Sequence, residues 1–127
     1  MKILGIGVDI IDNKRIKESI KNNKFKSRIY SSNELKLSKK TKNKVAFFSK
    51  RFAAKEAFSK ALGTGISRGI KFNEIVILNK KNGKPYIKLL NNTKLIVEKL
   101  LKKKKYKISL SISDESNYAV AFVTISI

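Results

Sequence analysis

Cysteine and histidine are both missing from the 127 residues of this sequence. Without cysteine the chain can form no disulfide, no thiolate metal site and no cysteine nucleophile. Without histidine it lacks the commonest general base and the commonest zinc ligand. Any chemistry must therefore depend on carboxylates, lysine, arginine, hydroxyl groups or a hard metal ion.

Long hydrophobic runs are missing as well. No apolar stretch approaches the roughly 20 residues that span a bilayer, and the first residues have the pattern of a strand rather than of a signal peptide. We therefore predict a cytoplasmic protein that does not act in a membrane. With 42% hydrophobic residues the chain can bury a core, and its length predicts one domain over 1–127.

Acidic residues are scarce, because 9 Asp and Glu stand against 30 Lys and Arg, a formal net charge of +21. Such a charge favours an acidic partner, namely a nucleic acid, an acidic protein or an anionic lipid. A biased composition is the simpler explanation for most of it, since Lys, Asn and Ile are all abundant and all have A/T-rich codons. Arg, which reads guanine in DNA grooves, is rare among the cations. We expect the remaining charge to steer acidic partners.

Strand and helix patterns run along the whole chain. Strands are predicted at 3–11 (a buried strand), 72–78, from 85 onward, 107–113 and 118–127, and helices at 12–21, 25–30, from the Ser-x-x-Glu capping box at 31–34, at 45–62 and at 92–101. This order predicts an α+β fold in which an antiparallel sheet packs on the long helix. The last strand is apolar on both faces, which indicates burial in an oligomer.

Two carboxylates stand among apolar neighbours. Asp9 lies between Val8 and Ile10 in the first strand, and Glu56 lies on the long helix. Burying an acid is costly unless something compensates it, and two carboxylates met by Lys and Arg suit Mg²⁺ and a phosphate. Ordinary interpretations stay open, because Asp9 could pair with a nearby Lys and Glu56 with Lys60 one helical turn later.

Four stretches of the sequence are specific when taken together and in order. They are GIGVDII at 5–11 followed by Asn13-Lys14-Arg15-Ile16, RFAAKEAFSKALGTGI at 51–66, NGKPY at 82–86, and LSISDE at 110–115 followed by Tyr118-Ala119. Over essentially its whole length the chain resembles holo-[acyl-carrier-protein] synthase, the small bacterial class of 4′-phosphopantetheinyl transferases.

The resemblance implies an activity. Members of this family move the phosphopantetheine arm of coenzyme A onto a serine hydroxyl of apo acyl carrier protein and release adenosine 3′,5′-bisphosphate, in support of fatty acid biosynthesis. They depend on Mg²⁺ and are typically homotrimers, with the active site in the cleft between subunits. Coenzyme A and acyl carrier protein are the partners that follow, with no nucleic acid and no membrane.

The resemblance also implies roles for individual residues. Asp9 and Glu56 fall on the metal carboxylates, Lys60 falls on a phosphate-binding lysine, Gly63 and Thr64 fall on the loop near the nucleotide, and Arg15 and Arg28 lie where the first helices meet the carrier protein. At Asp114 some members carry His and others Asp. We count Lys55, Ser59 and Asp114 with Lys60, Gly63 and Thr64 as candidates for binding the coenzyme.

The base that deprotonates the serine hydroxyl is left open by the residues. Glu56 or Asp9 could act directly or through a metal-bound water, and we favour a water held by Glu56. Two other functions are compatible with parts of the sequence, a basic nucleic-acid-binding module and a metal-free oligomeric scaffold in which both carboxylates are structural. Mg²⁺-dependent binding of coenzyme A separates the transferase from both.

Overall fold

The fold was taken from a computed structural model, which describes residues 1–63 and 69–127. In chain order the elements are β1 (Ile3–Asp12), α1 (Asn13–Ser19), α2 (Asn23–Ile29), α3 (Ser32–Ser38), α4 (Lys44–Leu62), a 3₁₀ turn (Phe72–Glu74), β2 (Ile75–Asn79), β3 (Pro85–Leu89), α5 (Asn91–Leu101), β4 (Lys107–Asp114) and β5 (Tyr118–Ser126). The order confirms the α+β prediction.

The strands form two antiparallel sheets. The larger has the order β1-β5-β4. In its register, Ala121 of β5 lies between Asp9 of β1 and Ile112 of β4. The smaller is the β2-β3 hairpin, whose turn has Gly83 at a φ of +90°, as the Asn-Gly sequence predicts. One predicted strand starts too early, because residues 72–74 form the 3₁₀ turn and β2 begins at Ile75.

Helix α4 is the centre of the molecule. The side chain of Asn43 accepts a hydrogen bond at its start, and Gly63 ends it with a left-handed φ of +78°. Its buried residues surround much of its circumference and include Phe47, Phe48, Arg51, Phe52, Lys55, Phe58 and Ser59. A helix that is buried on most sides is expected where other elements pack around it.

Two glycines of β1 allow α4 to lie directly against the strand. A Cβ atom on Gly5 would overlap the carbonyl oxygen of Ala61, and one on Gly7 would overlap that of Ala57. Only glycine fits where two backbones come this close. This contact places Asp9, two residues after Gly7, beside the last turns of α4.

Side chains alternate between the two faces of the larger sheet. The inner face packs on α4 and carries Asp9 with the buried residues Ala119, Ala121 and Val123. The opposite face, which we call the outer face, carries apolar side chains that are exposed: Ile6, Val8, Ile10, Tyr118 and Phe122. In the single chain, the prediction that β1 is a buried strand is therefore wrong for its outer face.

No helix among the described residues is long and apolar enough to cross a membrane.

Candidate active site

Asp9 and Lys60 form an ion pair between β1 and α4. The Lys60 Nζ donates to Asp9 Oδ1 at 3.1 Å and to the Val8 carbonyl oxygen at 3.0 Å. The Asp9 side chain is 15% exposed, whereas that of Lys60 is 53% exposed. The lysine therefore covers the carboxylate from the solvent side and remains accessible to an anion.

Glu56 lies one helical turn before Lys60 and joins the same cluster. Burial raises the pKa of Glu56 above its ordinary value, and the negative charge of Asp9 raises it further, while Lys60 and Arg15 act in the opposite direction. The two carboxylates are thus close enough to repel each other, and the nearby cations do not offset the cost. A further positive charge at this site would lower the cost of ionising Glu56.

The donor set of this cluster suits Mg²⁺. Within residues 1–63 and 69–127 no group of three or more acidic or other metal-binding side chains comes together. At this cluster the protein would therefore contribute two carboxylates, those of Asp9 and Glu56. Mg²⁺ is usually bound by one or two carboxylates together with waters and substrate phosphates rather than by a full protein cage. Two carboxylates beside an exposed lysine fit this requirement.

Glu56 also forms part of the wall of a cavity of about 580 Å³. We call this cavity the Glu56 pocket. Aromatic and aliphatic side chains line much of it, and cations stand among them; its residues are Arg15, Phe25, Arg28, Ile29, Phe52, Glu56, Ile70, Lys71, Phe72 and Asn73. The Arg15 guanidinium lies 5.5 Å from the centre of the Phe52 ring. Arg15 and Arg28, predicted to meet a carrier protein, therefore share one pocket with a predicted metal ligand.

Lys55 and Ser59 are not brought to this cluster. The Lys55 side chain is fully buried and bonded to Glu34, and Ser59 is 1% exposed, with no hydrogen-bond partner for its hydroxyl among the described residues. Burial lowers the pKa of Lys55 to about 8, although Glu34 acts to raise it. Because both side chains are enclosed by the fold, the structure gives neither a direct route to a ligand.

The remaining predicted residues lie apart from the Glu56 pocket or outside the described part. Gly63 ends α4 three residues after Lys60, and Thr64 lies outside the described residues. Asp114 is exposed at the end of β4 and lines a different cavity of about 460 Å³, together with Asn13, Lys14 and Lys17.

Glu34 and the aromatic residues of the pocket were missed by sequence reasoning. The Ser-x-x-Glu spacing predicted Glu34 as a helix cap, and the capping box with Ser31 is present. Its second role, as the partner of Lys55, could have been inferred from one feature of the sequence. A lysine among Ala and Phe on a buried helix needs a carboxylate close by.

Comparison with known proteins gives a consistent result. The chain matches the family model of the 4′-phosphopantetheinyl transferase superfamily over residues 5–123. It is 53% identical to the holo-[acyl-carrier-protein] synthase of Pelagibacter ubique, over 97% of this chain and 96% of that protein.

Solved structures agree with this match. The holo-[acyl-carrier-protein] synthase of Neisseria meningitidis superposes with a TM-score of 0.88 at 37% identity, covering 99% of this chain and 100% of that one. The enzyme of the same name from Bacillus anthracis, crystallised in complex with CoA (3′,5′-ADP), gives a TM-score of 0.81 at 36% identity, covering 98% and 96%.

Proposed function

The chain belongs to the 4′-phosphopantetheinyl transferase superfamily, and we propose that it acts as a holo-[acyl-carrier-protein] synthase. It transfers the 4′-phosphopantetheine group of coenzyme A to a serine of apo acyl carrier protein. The serine oxygen forms a bond to the phosphorus that carries the pantetheine arm. The bond from that phosphorus to the bridging oxygen breaks, and adenosine 3′,5′-bisphosphate leaves.

The observation that carries this proposal is the meeting of Asp9, Glu56 and Lys60 at one end of the contact between β1 and α4. The Lys60 Nζ lies 3.1 Å from Asp9 Oδ1, and the negative charge of Asp9 raises the pKa of Glu56. Transfer of a phosphoryl group depends mainly on positioning and on neutralising charge. These three side chains supply both.

Mg²⁺ is part of the proposal, and Asp9 and Glu56 would hold it. When bound, Mg²⁺ offsets the negative charge of the diphosphate. Lys60 is exposed enough to contact a phosphate oxygen, and it stabilises the charge that develops on the leaving group. Glu56 receives the proton of the serine hydroxyl through a water molecule, since a carboxylate beside the reacting hydroxyl can act as a general base.

The carrier protein docks, in this proposal, at the Glu56 pocket. Arg15 and Arg28 present positive charge, and Phe25 and Phe52 present apolar surface beside them. An acidic carrier is attracted to such a surface and can place its serine near Glu56. The relatives give no support to the alternative of a nucleic-acid-binding module.

We further propose that the chain forms a homotrimer in the cytoplasm. The support for assembly is the outer face, on which Val8 and Phe122 are opposite each other and 53% and 44% exposed. A contiguous apolar surface of this kind is typical of an interface. Copies of this chain are the occupant that its family resemblance favours.

The experiment that tests the activity is intact-protein mass spectrometry of apo acyl carrier protein, incubated with this chain, coenzyme A and Mg²⁺. We expect the carrier to gain the mass of one phosphopantetheine, and the gain to disappear with a chelator. Asp9→Asn and Glu56→Gln should slow transfer by about 100-fold or more while leaving the fold intact. Glu98→Gln, on α5 and away from the Glu56 pocket, is the matched control.

Either acidic-site variant with near-full activity in Mg²⁺ would remove that residue from the metal site. A folded parent chain that leaves a competent carrier unmodified would contradict the proposed function itself.

A further inference from the structure

The Lys55 ammonium is held inside the molecule by three hydrogen bonds. It donates to Glu34 Oε1 at 2.7 Å, to the Phe72 carbonyl oxygen at 2.8 Å and to the Ile75 carbonyl oxygen at 2.6 Å. All three of its protons are therefore used. These bonds join α4 to the 3₁₀ turn and to the first residue of β2.

Glu34 is buried just as completely and is also fully engaged. Its Oε1 accepts from the Ser31 backbone N–H at 2.9 Å as well as from Lys55, and its Oε2 accepts from the Ile77 backbone N–H at 3.0 Å. One carboxylate thus connects α3, α4 and β2. We call Glu34 and Lys55, with the groups they bond, the buried clamp.

The buried clamp lies directly behind the Glu56 pocket. Phe72, whose carbonyl oxygen Lys55 holds, lines that pocket, and Glu56 is the next residue to Lys55 on α4. Asn73 extends the connection, since its side-chain amide donates to the Ser27 carbonyl oxygen of α2 at 3.2 Å. Arg28 follows Ser27, so the clamp reaches two walls of the pocket.

Stability alone is a weak reason for such a pair. Desolvation of two charges offsets much of their attraction, and well-packed apolar residues of similar volume are often at least as stable. A hydrogen-bonded pair also fixes geometry, because its directional bonds hold three backbone segments at set distances from one another. The Glu56 pocket depends on those distances, since its walls come from α4, the 3₁₀ turn and α2.

We propose that Glu34 and Lys55 are positioning residues that set the shape of the Glu56 pocket for the acyl carrier protein. They touch neither substrate nor coenzyme, and they act through Phe72, Asn73 and Arg28. This inference rests on the proposed function, in which the carrier docks at that pocket and Lys60 contacts a phosphate of coenzyme A. It predicts that loosening the clamp weakens recognition of the carrier more than recognition of the coenzyme.

The test is steady-state kinetics of the full chain with both substrates varied, for the parent and for the double variant Glu34→Gln with Lys55→Met. Gln can keep the helix cap, and Met fills the space of Lys without its bonds. We expect KM for the apo carrier to rise about tenfold, because small displacements of a docking wall have large kinetic effects, and KM for coenzyme A to stay within about twofold. Glu34→Gln alone, which keeps two of the three Lys55 bonds, should shift the carrier KM in the same direction by less. Asn73→Ala, which removes only the exposed bond to the Ser27 carbonyl oxygen and leaves no buried charge unpaired, serves as the test if the double variant does not fold.

Val97→Ala is the control for stability alone. Val97 is fully buried on α5 and lines no part of the Glu56 pocket, so its loss of packing should lower Tm and leave both KM values unchanged. A folded clamp variant with an unchanged carrier KM, or with both KM values raised equally, would overturn the positioning role while leaving the proposed function in place. A parent chain that transfers nothing would instead overturn the proposed function and this inference with it.

Discussion

Glu56 holds a charge that its surroundings disfavour. Burial and the neighbouring Asp9 both raise its pKa, and the attraction of Lys60 and Arg15 does not compensate. A carboxylate in this state is costly to the folded chain until a cation arrives, as is common in sites that trade stability for function. The cost can be measured in the metal-free protein.

Replacing Glu56 by glutamine should therefore stabilise the metal-free chain at neutral pH. The folded state holds the Glu56 proton more tightly than the unfolded state does, so the parent loses stability as pH rises from the ordinary value of 4.5 through the raised pKa. Thermal unfolding with a chelator present should show a higher Tm for Glu56→Gln at pH 7, and a smaller difference at about pH 4.

Mg²⁺ should reverse the order. It binds the folded parent and raises its Tm, whereas the variant has lost one of two ligands and should respond little. A Glu56→Gln variant that is less stable than the parent in metal-free buffer at pH 7 would show that Glu56 is stabilised by its neighbours rather than strained.

At the scale of elements, the close approach of β1 and α4 decides whether the site exists. Asp9 belongs to the strand, while Glu56 and Lys60 belong to the helix, and they meet because Gly5 and Gly7 let the two backbones touch. Any side chain at these glycines must push the helix away.

Gly7→Ala is expected to damage both stability and activity. The new methyl group would overlap the Ala57 carbonyl oxygen and lie 2.7 Å from the Ala61 nitrogen, so α4 has to shift. Such overpacking costs about 1–3 kcal/mol, and the shift separates Asp9 from Glu56 and Lys60. Unfolding in denaturant and transfer assays should show both losses, whereas Val97→Ala should lower stability and keep the transfer rate. Full activity of Gly7→Ala would mean that the site tolerates a wider spacing of β1 and α4.

The sequence predicted most elements because their signals are local. Hydrophobic periodicity, the Ser31–Glu34 capping box and the Asn-Gly turn each lie within a few residues. The pairing of Lys55 with Glu34 joins residues 21 apart, and local signals do not contain it. The other hydrogen bonds of Lys55 lie where the strand was predicted too early. Lys55 holds the Phe72 and Ile75 carbonyl oxygens, and the chain turns there before β2 begins.

The candidate site was predictable in part for the same reason. Asp9, Glu56 and Lys60 stood out by motif and resemblance, and the structure brings them together. Ser59 and Lys55 belong to the same stretch, but which sides of α4 are buried depends on the elements packed around it. On β1 the apolar pattern gave no indication that the outer face would be exposed, since an apolar face has the same sequence pattern whether it is exposed or covered.

At the scale of the whole molecule, the sheet has one face covered by α4 and one that presents apolar side chains. Ile6, Val8 and Ile10 of β1 are each more than half exposed, and Phe122 of β5 lies opposite Val8. A chain with a net charge of +21 repels its own copies, so assembly through this face depends on apolar burial outweighing that repulsion. Added salt should therefore favour the assembled form.

Val8→Lys is expected to dissociate the proposed homotrimer, because it places a charge in the middle of the outer face. Light scattering coupled to size exclusion should give the parent a mass near three times 14.4 kDa and the variant a mass near 14.4 kDa. If the active site lies between subunits, as the family resemblance implies, the variant loses its transfer activity as well. Leu95→Lys is the matched control, since Leu95 is 62% exposed on α5, away from the sheet, and should remain assembled and active. A parent chain that is monomeric and active would show instead that one copy holds the complete site, and the outer face would then need another occupant.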